Sequence, residues 1–260
     1  MLYHIEMRKV AFTAQDTTHL LPRPHIHTNL EMVYLTKGQS VVTLDQKQYT
    51  LEAGDIFLAF PNQLHFYEDQ SPIEGYLIIF MPEILDEFKE IFQTKVPALP
   101  IWKATEIPID ISNSLEIIKQ KLENDLSIDY TIAKGYLLTL IGEMLSQAEL
   151  IDKPGDQDTI KKLLTYCNEN YTKPLTLDYL AKELYLNKYY ISHIFRERLN
   201  ISYKDFITQL RIDHACKLLK KNVSVTEVAY ASGFSSTKTF NRTFLQYMNM
   251  SPREYVKSQK

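Results

Sequence analysis

The chain is poor in the features that would take it out of the ordinary globular class. Among 260 residues there are two cysteines, Cys167 and Cys216. Two thiols build neither a disulfide framework nor a cysteine-only zinc site, and they point to a reducing compartment. Seven glycines and eleven prolines exclude collagen-like repeats and low-complexity disorder. The longest apolar run, Tyr76 to Met81, is far too short to cross a bilayer. The opening MLYHIEMRKV lacks the basic start and apolar core of a signal peptide, so a cytoplasmic protein with no membrane partner is expected. No phosphate-binding glycine loop, nucleophile elbow or carboxylate pair at catalytic spacing occurs, and no enzyme is expected.

What is present is unevenly distributed. The length exceeds what one average core holds, which predicts two domains. Residues 1–151 carry 11 basic and 21 acidic side chains, a balance of −10; residues 152–260 carry 18 and 11, a balance of +7. An acidic front half joined to a basic back half fits a sensor fused to a nucleic-acid binder, and it equally fits two domains that merely differ in charge.

The texture of the chain changes along the same divide. From Ile26 to Phe80, short β-rich runs (EMVYLT, SVVTL, QYTL, DIFLAF, GYLIIF) alternate with turn residues, the pattern of an antiparallel sandwich or small barrel. Ile84 to Phe92 reads as a short helix. From Ile111 to Leu150, apolar residues recur at helical spacing in two segments that meet near Leu126-Ser127. Such a stripe either packs on the barrel or pairs with a second subunit. Ile151 to Asp158, with Pro154, Gly155 and three acids, has the composition of a linker. The stretch from Met1 to Pro24 is expected to be a flexible lid. The predicted organisation is α+β: a barrel over 1–110, a helical dimerisation hairpin over 111–150, a linker over 151–158 and an all-helical domain over 159–260.

The last ninety or so residues contain an internal repeat. Leu180-Ala181 aligns with Val228-Ala229 at an offset of 48, while Ile191, Phe195, Asn200 and Ser202 align with Phe240, Phe244, Asn249 and Ser251 at 49. One residue is added in the turn, where Gly233 sits, so each copy reads as helix, tight turn, helix. Asn187 and Ser236 are placed to cap the second helix of each copy. Lys188, Tyr189, Ser192, His193 and Arg196 then share the outer face of the first such helix. Ser236, Thr237, Lys238, Asn241 and Arg242 occupy the start and outer face of the second. A polar face opposite an apolar stripe is ordinarily just solvated. Two copies in register, each capped and basic, make these ten residues candidates for contacting double-stranded DNA.

The segment VTEVAYASGFSSTKTFNRTFLQYMNMSPREY resembles the signature of AraC/XylS-type transcription regulators. The resemblance rests on Ala229, Gly233-Phe234, Ser236, Phe240, Arg242, Phe244, Ser251-Pro252 and Tyr255, with Arg211, Ala215, Leu218 and Leu219 in the helix between repeats. Asn249 stands where Gly is usual; Asn is the next most tolerant residue of a left-handed conformation. Leu245 stands where a basic residue is usual. In the front half, His25, His27, Glu31 and Gly38 reproduce H-x-H-x3-E-x6-G of a cupin motif, and Gly54-Asp55, Pro61 and His65 look like its second half, with Pro-to-His spacing one residue short. These resemblances imply a cupin-like effector-binding barrel ahead of two helix-turn-helix motifs.

Three imidazoles and a carboxylate suit Fe, Mn, Ni or Zn, so a metal-dependent cupin enzyme with a DNA-binding tail is a rival. The short spacing and the regulator signature favour no metal and no cofactor. The pocket mouth is expected at Arg23, His25, His27, Glu31, Tyr34, His65, Tyr67 and Tyr76, a polar and aromatic set suited to a small effector such as a sugar. The resulting expectation is a homodimeric, effector-responsive regulator, contacting RNA polymerase if it is an activator. A ligand-independent DNA-binding protein is the remaining alternative.

Overall fold

The structure, a computed structural model, describes residues 4–5, 11–124, 126–221 and 223–258. The described residues divide into two compact units, one of residues 11–158 and one of residues 159–258 grouped with residues 4–5.

The front unit is built on two antiparallel sheets. Its strands are β1 (Phe12–Thr17), β2 (His25–Ile26), β3 (Leu30–Lys37), β4 (Gln39–Leu44), β5 (Lys47–Glu52), β6 (Asp55–Ala59), β7 (His65–Asp69) and β8 (Glu74–Phe80). Two short pieces follow, β9 (Lys95–Pro97) and β10 (Ile101–Lys103). One sheet contains the order β2-β7-β4-β5 and the other runs β10-β6-β3-β8-β1. The β4–β5 hairpin turns through Asp45 and Gln46, both at positive φ, which matches the twist of the flanking strands.

Strand β3 is buried along its first six residues because the second sheet is covered on both faces. Alternation sends Val33 and Leu35 into the barrel interior with Val42, Leu51, Phe57 and Tyr67. It sends Leu30, Met32 and Tyr34 to the opposite face, against the helices.

Those helices are α1 (Lys89–Thr94), preceded by a 3-10 segment, then α2 (Ile111–Leu122) and α3 (Ser127–Gln147). Asp110 caps α2 by accepting from the Asn113 amide. Leu115 and Ile118 of α2, with Ala133, Leu137, Leu140, Ile141 and Met144 of α3, pack on the sheet. Most of the hairpin's apolar stripe is therefore core.

Two expectations are corrected here. The stretch 151–158 is not wholly linker, because Leu150–Asp152 forms a strand, β11, paired with β9. The stretch 1–24 is not wholly a lid. Residues 1–3 and 6–10 lie outside the described residues, but β1 pairs with β8 at all six of its positions.

The back unit is helical. Its elements are α4 (Gln157–Asn170, which starts just ahead of the division), α5 (Leu177–Glu183), α6 (Lys188–His193), α7 (Tyr203–Lys220), α8 (Val225–Ala231), α9 (Thr237–Met248) and α10 (Pro252–Ser258). Helix α6 widens into a π turn over Ile194–Arg198. Arg211 on α7 donates from Nε to the Tyr171 carbonyl at 2.7 Å and from Nη2 to the Lys173 carbonyl at 2.9 Å. Its part in the signature is thus structural. Cys167 and Cys216 are free and buried, and burial pushes the Cys167 thiol up to about 12.

Candidate functional site

The two helix-turn-helix copies superpose in their local chemistry. Thr176 and Ser224 cap the supporting helices by accepting from the amides of Tyr179 and Glu227. The turns then hold Tyr185 at φ 54 and Gly233 at φ 83, again 48 residues apart. Amides of Leu186 and Phe234 return to the carbonyls of Ala181 and Ala229. Asn187 and Ser236, 49 apart, cap α6 and α9. The extra residue of the second copy accordingly lies after Phe234, at Ser235, and not at Gly233. Asn200 and Asn249 both adopt the left-handed conformation, as Asn permits.

Ile191, Phe195, Phe240 and Phe244 are buried beneath α6, its π turn and α9. On the opposite faces, Lys188, Tyr189, His193 and Arg196 are exposed and Ser192 is half-buried. Lys238, Asn241 and Arg242 are exposed, Thr237 half-buried. Shifting by 49 places Lys188 on Thr237, Tyr189 on Lys238, Ser192 on Asn241, His193 on Arg242 and Arg196 on Leu245. The two faces thus share a register from the cap to His193 and Arg242, where the first helix enters its π turn, and they differ in chemistry. Ser236 stands apart, because its hydroxyl accepts from the Thr239 amide at 3.2 Å and donates to the Thr239 hydroxyl at 3.0 Å. Lys188 pairs with Asp178 at 2.8 Å, an exposed contact that a phosphate can displace.

In the barrel, His25 and His65 face each other across the β2–β7 pair, with ring centroids 4.1 Å apart. His27 follows two residues after His25, and its ring lies 5.0 Å from that of His65. Glu31 enters from β3 of the other sheet. Its carboxylate lies 3.3 Å from His27 Nε2, 3.4 Å from His65 Nε2 and 4.0 Å from His25 Nε2. All four side chains are buried.

Each imidazole is oriented by its own backbone. The Nδ1 atoms of His25, His27 and His65 lie 2.9, 3.0 and 3.0 Å from the carbonyls of Arg23, Asn29 and Gln63. A carbonyl only accepts, so Nδ1 carries the proton and Nε2 turns inward. These carbonyl partners carry no residue-type signal, and the sequence did not disclose them. Tyr67, two residues after His65 and on the same face, donates its hydroxyl to Glu31 at 2.9 Å. Burial, with the neighbouring His65 charge, lowers the His25 imidazole to about 2, although Glu31 opposes this. Burial pushes Glu31 up, but the imidazoles of His27 and His65 hold it well below the usual carboxylate range.

Five of the eight expected effector residues are thus brought together, inside the barrel and not at an open mouth. Arg23 is exposed, and only its carbonyl meets the cluster. Tyr34 and Tyr76 lie on the helix-covered face of the second sheet, stacked on each other with centroids 6.4 Å apart. The Tyr34 hydroxyl accepts from Ser112 and the Tyr76 hydroxyl donates to Glu116, both on α2. Strand parity is the reason: Glu31 and Tyr34 are three residues apart on one regular strand, so they point to opposite faces.

Two family models match the chain, an AraC-like ligand binding domain over residues 10–138 and a helix-turn-helix domain over residues 180–258. An HTH-type transcriptional regulator of Escherichia coli, YdiP, is 25% identical over 244 residues, covering 89% of this chain and 80% of that protein. The Msm operon regulatory protein of Streptococcus mutans is 24% identical, covering 90% and 86%. The Escherichia coli melibiose operon regulatory protein is 34% identical over 99 residues, or 38% of this chain and 33% of its own. Among solved structures, ToxT from Vibrio cholerae shares the fold, with a TM-score of 0.51 at 16% identity over 94% of each chain. With a ligand-binding model on the barrel half and a helix-turn-helix model on the repeat, the chain belongs to the AraC family of DNA-binding transcription regulators.

Proposed function

We propose that this regulator is a cytoplasmic homodimer that binds a small polar effector, a sugar, in its barrel and reads DNA with both recognition helices. The observation that carries the DNA half is the pair of capped helices whose exposed faces correspond, from the cap to His193 and Arg242, after a shift of 49 residues. A single subunit then contacts two successive major grooves on one face of the duplex, about 34 Å apart. Lys188, Tyr189, Ser192, His193 and Arg196 serve one groove; Thr237, Lys238, Asn241 and Arg242 serve the other.

The effector reading rests on the interior cluster of His25, His27, Glu31, His65 and Tyr67, with Arg23 at its exposed end. A regulator of a melibiose operon among the relatives supports the sugar class. Dimerisation is assigned to the outward side of the hairpin, where Ile109, Asn113, Ile132, Gly135, Tyr136 and Thr139 line a groove of about 530 Å³. Among the described residues no helix is long and apolar enough to cross a membrane. Activation, where it occurs, proceeds through contact with RNA polymerase, and the chain does no chemistry on its effector.

Binding of genomic fragments to the purified protein, with and without a panel of sugars, tests this. The expected result is a small set of bound fragments whose affinity changes with one sugar. Uniform binding to all fragments rejects the regulator reading; selective binding unmoved by any sugar rejects the effector class.

A further inference from the structure

Inside the helical unit, a groove of about 570 Å³ lies between the two helix-turn-helix copies. One wall is α9, which contributes Arg242, Thr243 and Gln246. The other is the first half of α7, the helix that joins the copies, which contributes Lys204, Thr208 and Arg211. Thr176, the N-cap of α5 in the first copy, also borders it.

Three of these side chains are cationic, and among the described residues none of the three pairs with a carboxylate. Exposed lysines elsewhere do pair, Lys37 with Glu74, Lys95 with Asp152 and Lys188 with Asp178. Arg211 is held in place by its bonds to the Tyr171 and Lys173 carbonyls and by the Phe234 ring, 6.0 Å away. Those contacts fix its guanidinium without neutralising it. The one acid of the lining, Asp205, is occupied by hydroxyl groups, with Tyr247 donating to it at 3.0 Å and Ser202 at 2.7 Å. Cations set among threonine hydroxyls and a glutamine amide suit an anion with several acceptor oxygens.

Arg242 belongs both to this groove and to the outer face of α9, so the groove borders the proposed reading face. Two successive major grooves on one face of a duplex are separated by a minor groove and the two phosphate backbones that bound it. With one recognition helix in each major groove, those backbones pass over the segment that joins the copies. We propose that the groove seats the duplex backbone, with the exposed Lys204 of α7 contacting a phosphate and Thr208 and Gln246 donating to the same strand. The inference rests on the reading that both recognition helices enter DNA, and it gives the connecting helix a contact of its own. Such a contact fixes the register of the two copies on the duplex and carries no sequence information.

The test uses the full-length chain and two duplexes, a genomic fragment that it selects and a scrambled version of that fragment. Anisotropy titrations at several salt concentrations give affinity and its salt dependence. Lys204→Gln is expected to flatten the slope of log affinity against log salt by about 1 and to weaken both duplexes by the same factor. Lys220→Gln removes the same charge from an exposed position of the same helix outside the groove, and is expected to keep the wild-type slope. Lys204→Gln indistinguishable from Lys220→Gln overturns the groove contact while the recognition helices keep their assignment. A loss confined to the selected fragment marks a base contact and overturns the sequence-independent seat. Wild-type protein that selects no fragment and binds no duplex overturns the reading on which the inference rests, and the inference with it.

Discussion

At the scale of single residues, the outer faces of α6 and α9 share a register as far as the π turn and differ chemically. Arg242 is exposed on α9, and an arginine guanidinium can bond a guanine edge through two donors. Arg242→Ala is expected to cost about 1–3 kcal/mol on the cognate site and to relax specificity there. Anisotropy titrations against cognate and scrambled duplexes check this, since equal loss on both marks a phosphate contact. The turns make a second contrast. A Cβ on Gly233 would lie 2.7 Å from the Thr172 carbonyl oxygen and 2.8 Å from its Cα, at a φ of +83°. Gly233→Ala is therefore expected to destabilise the helical unit by more than about 1 kcal/mol. Tyr185, at φ 54 and 95% exposed, meets no such wall, and Tyr185→Gly is expected to change stability by less than about 1 kcal/mol. Denaturant melts followed by circular dichroism separate the two.

At the scale of elements, helix α3 has two faces with two assignments. Leu137 is fully buried against the sheet, whereas Tyr136 is 37% exposed beside the hairpin groove. Leu137→Ala is expected to cost about 2–5 kcal/mol of front-unit stability. Tyr136→Glu is expected to leave stability within about 0.5 kcal/mol while weakening self-association. Light scattering across a dilution series measures the second effect, and unchanged association moves the interface off the hairpin. The same parity logic separates the tyrosines. Because Tyr76 faces α2 and Glu116, Tyr76→Phe is expected to leave the effector response unaltered in a reporter assay, whereas Tyr67→Phe alters it.

At the scale of the whole molecule, charge is partitioned with function. The basic balance lies on the DNA-reading side of the Asp158/Thr159 division and the acidic balance on the ligand-binding side. Contacts to phosphate release counterions, so affinity is expected to fall steeply with salt. Lys238→Ala is expected to flatten the slope of log affinity against log salt by about 1 if Lys238 contacts phosphate. Binding titrations at several salt concentrations give that slope. If the proposed dimer places two subunits on one operator, effective concentration raises occupancy, and a dimer-breaking change is then expected to weaken operator binding without touching the recognition helices.

Reading the chain alone was enough for the α+β class, the repeat and the capped helices, because these depend on local periodicity and on caps that lie within a few residues of what they cap. Asn187, Ser236 and Asn249 fall into that group. HxH and the pair His65 and Tyr67 were also legible as same-face residues, since alternation is a local property of a strand. The odd separation of Tyr34 from Glu31 is equally local, and it places Tyr34 on the other face of the strand. Tertiary structure alone decided the rest. It set Glu31 of one sheet against three histidines of the other, turned the segment after Leu150 into a strand by pairing it with Lys95–Pro97, and committed most of the hairpin's apolar stripe to the core. Those outcomes depend on which distant surfaces meet and on backbone carbonyls that have no residue identity, and neither is written in the spacing of side chains along the chain.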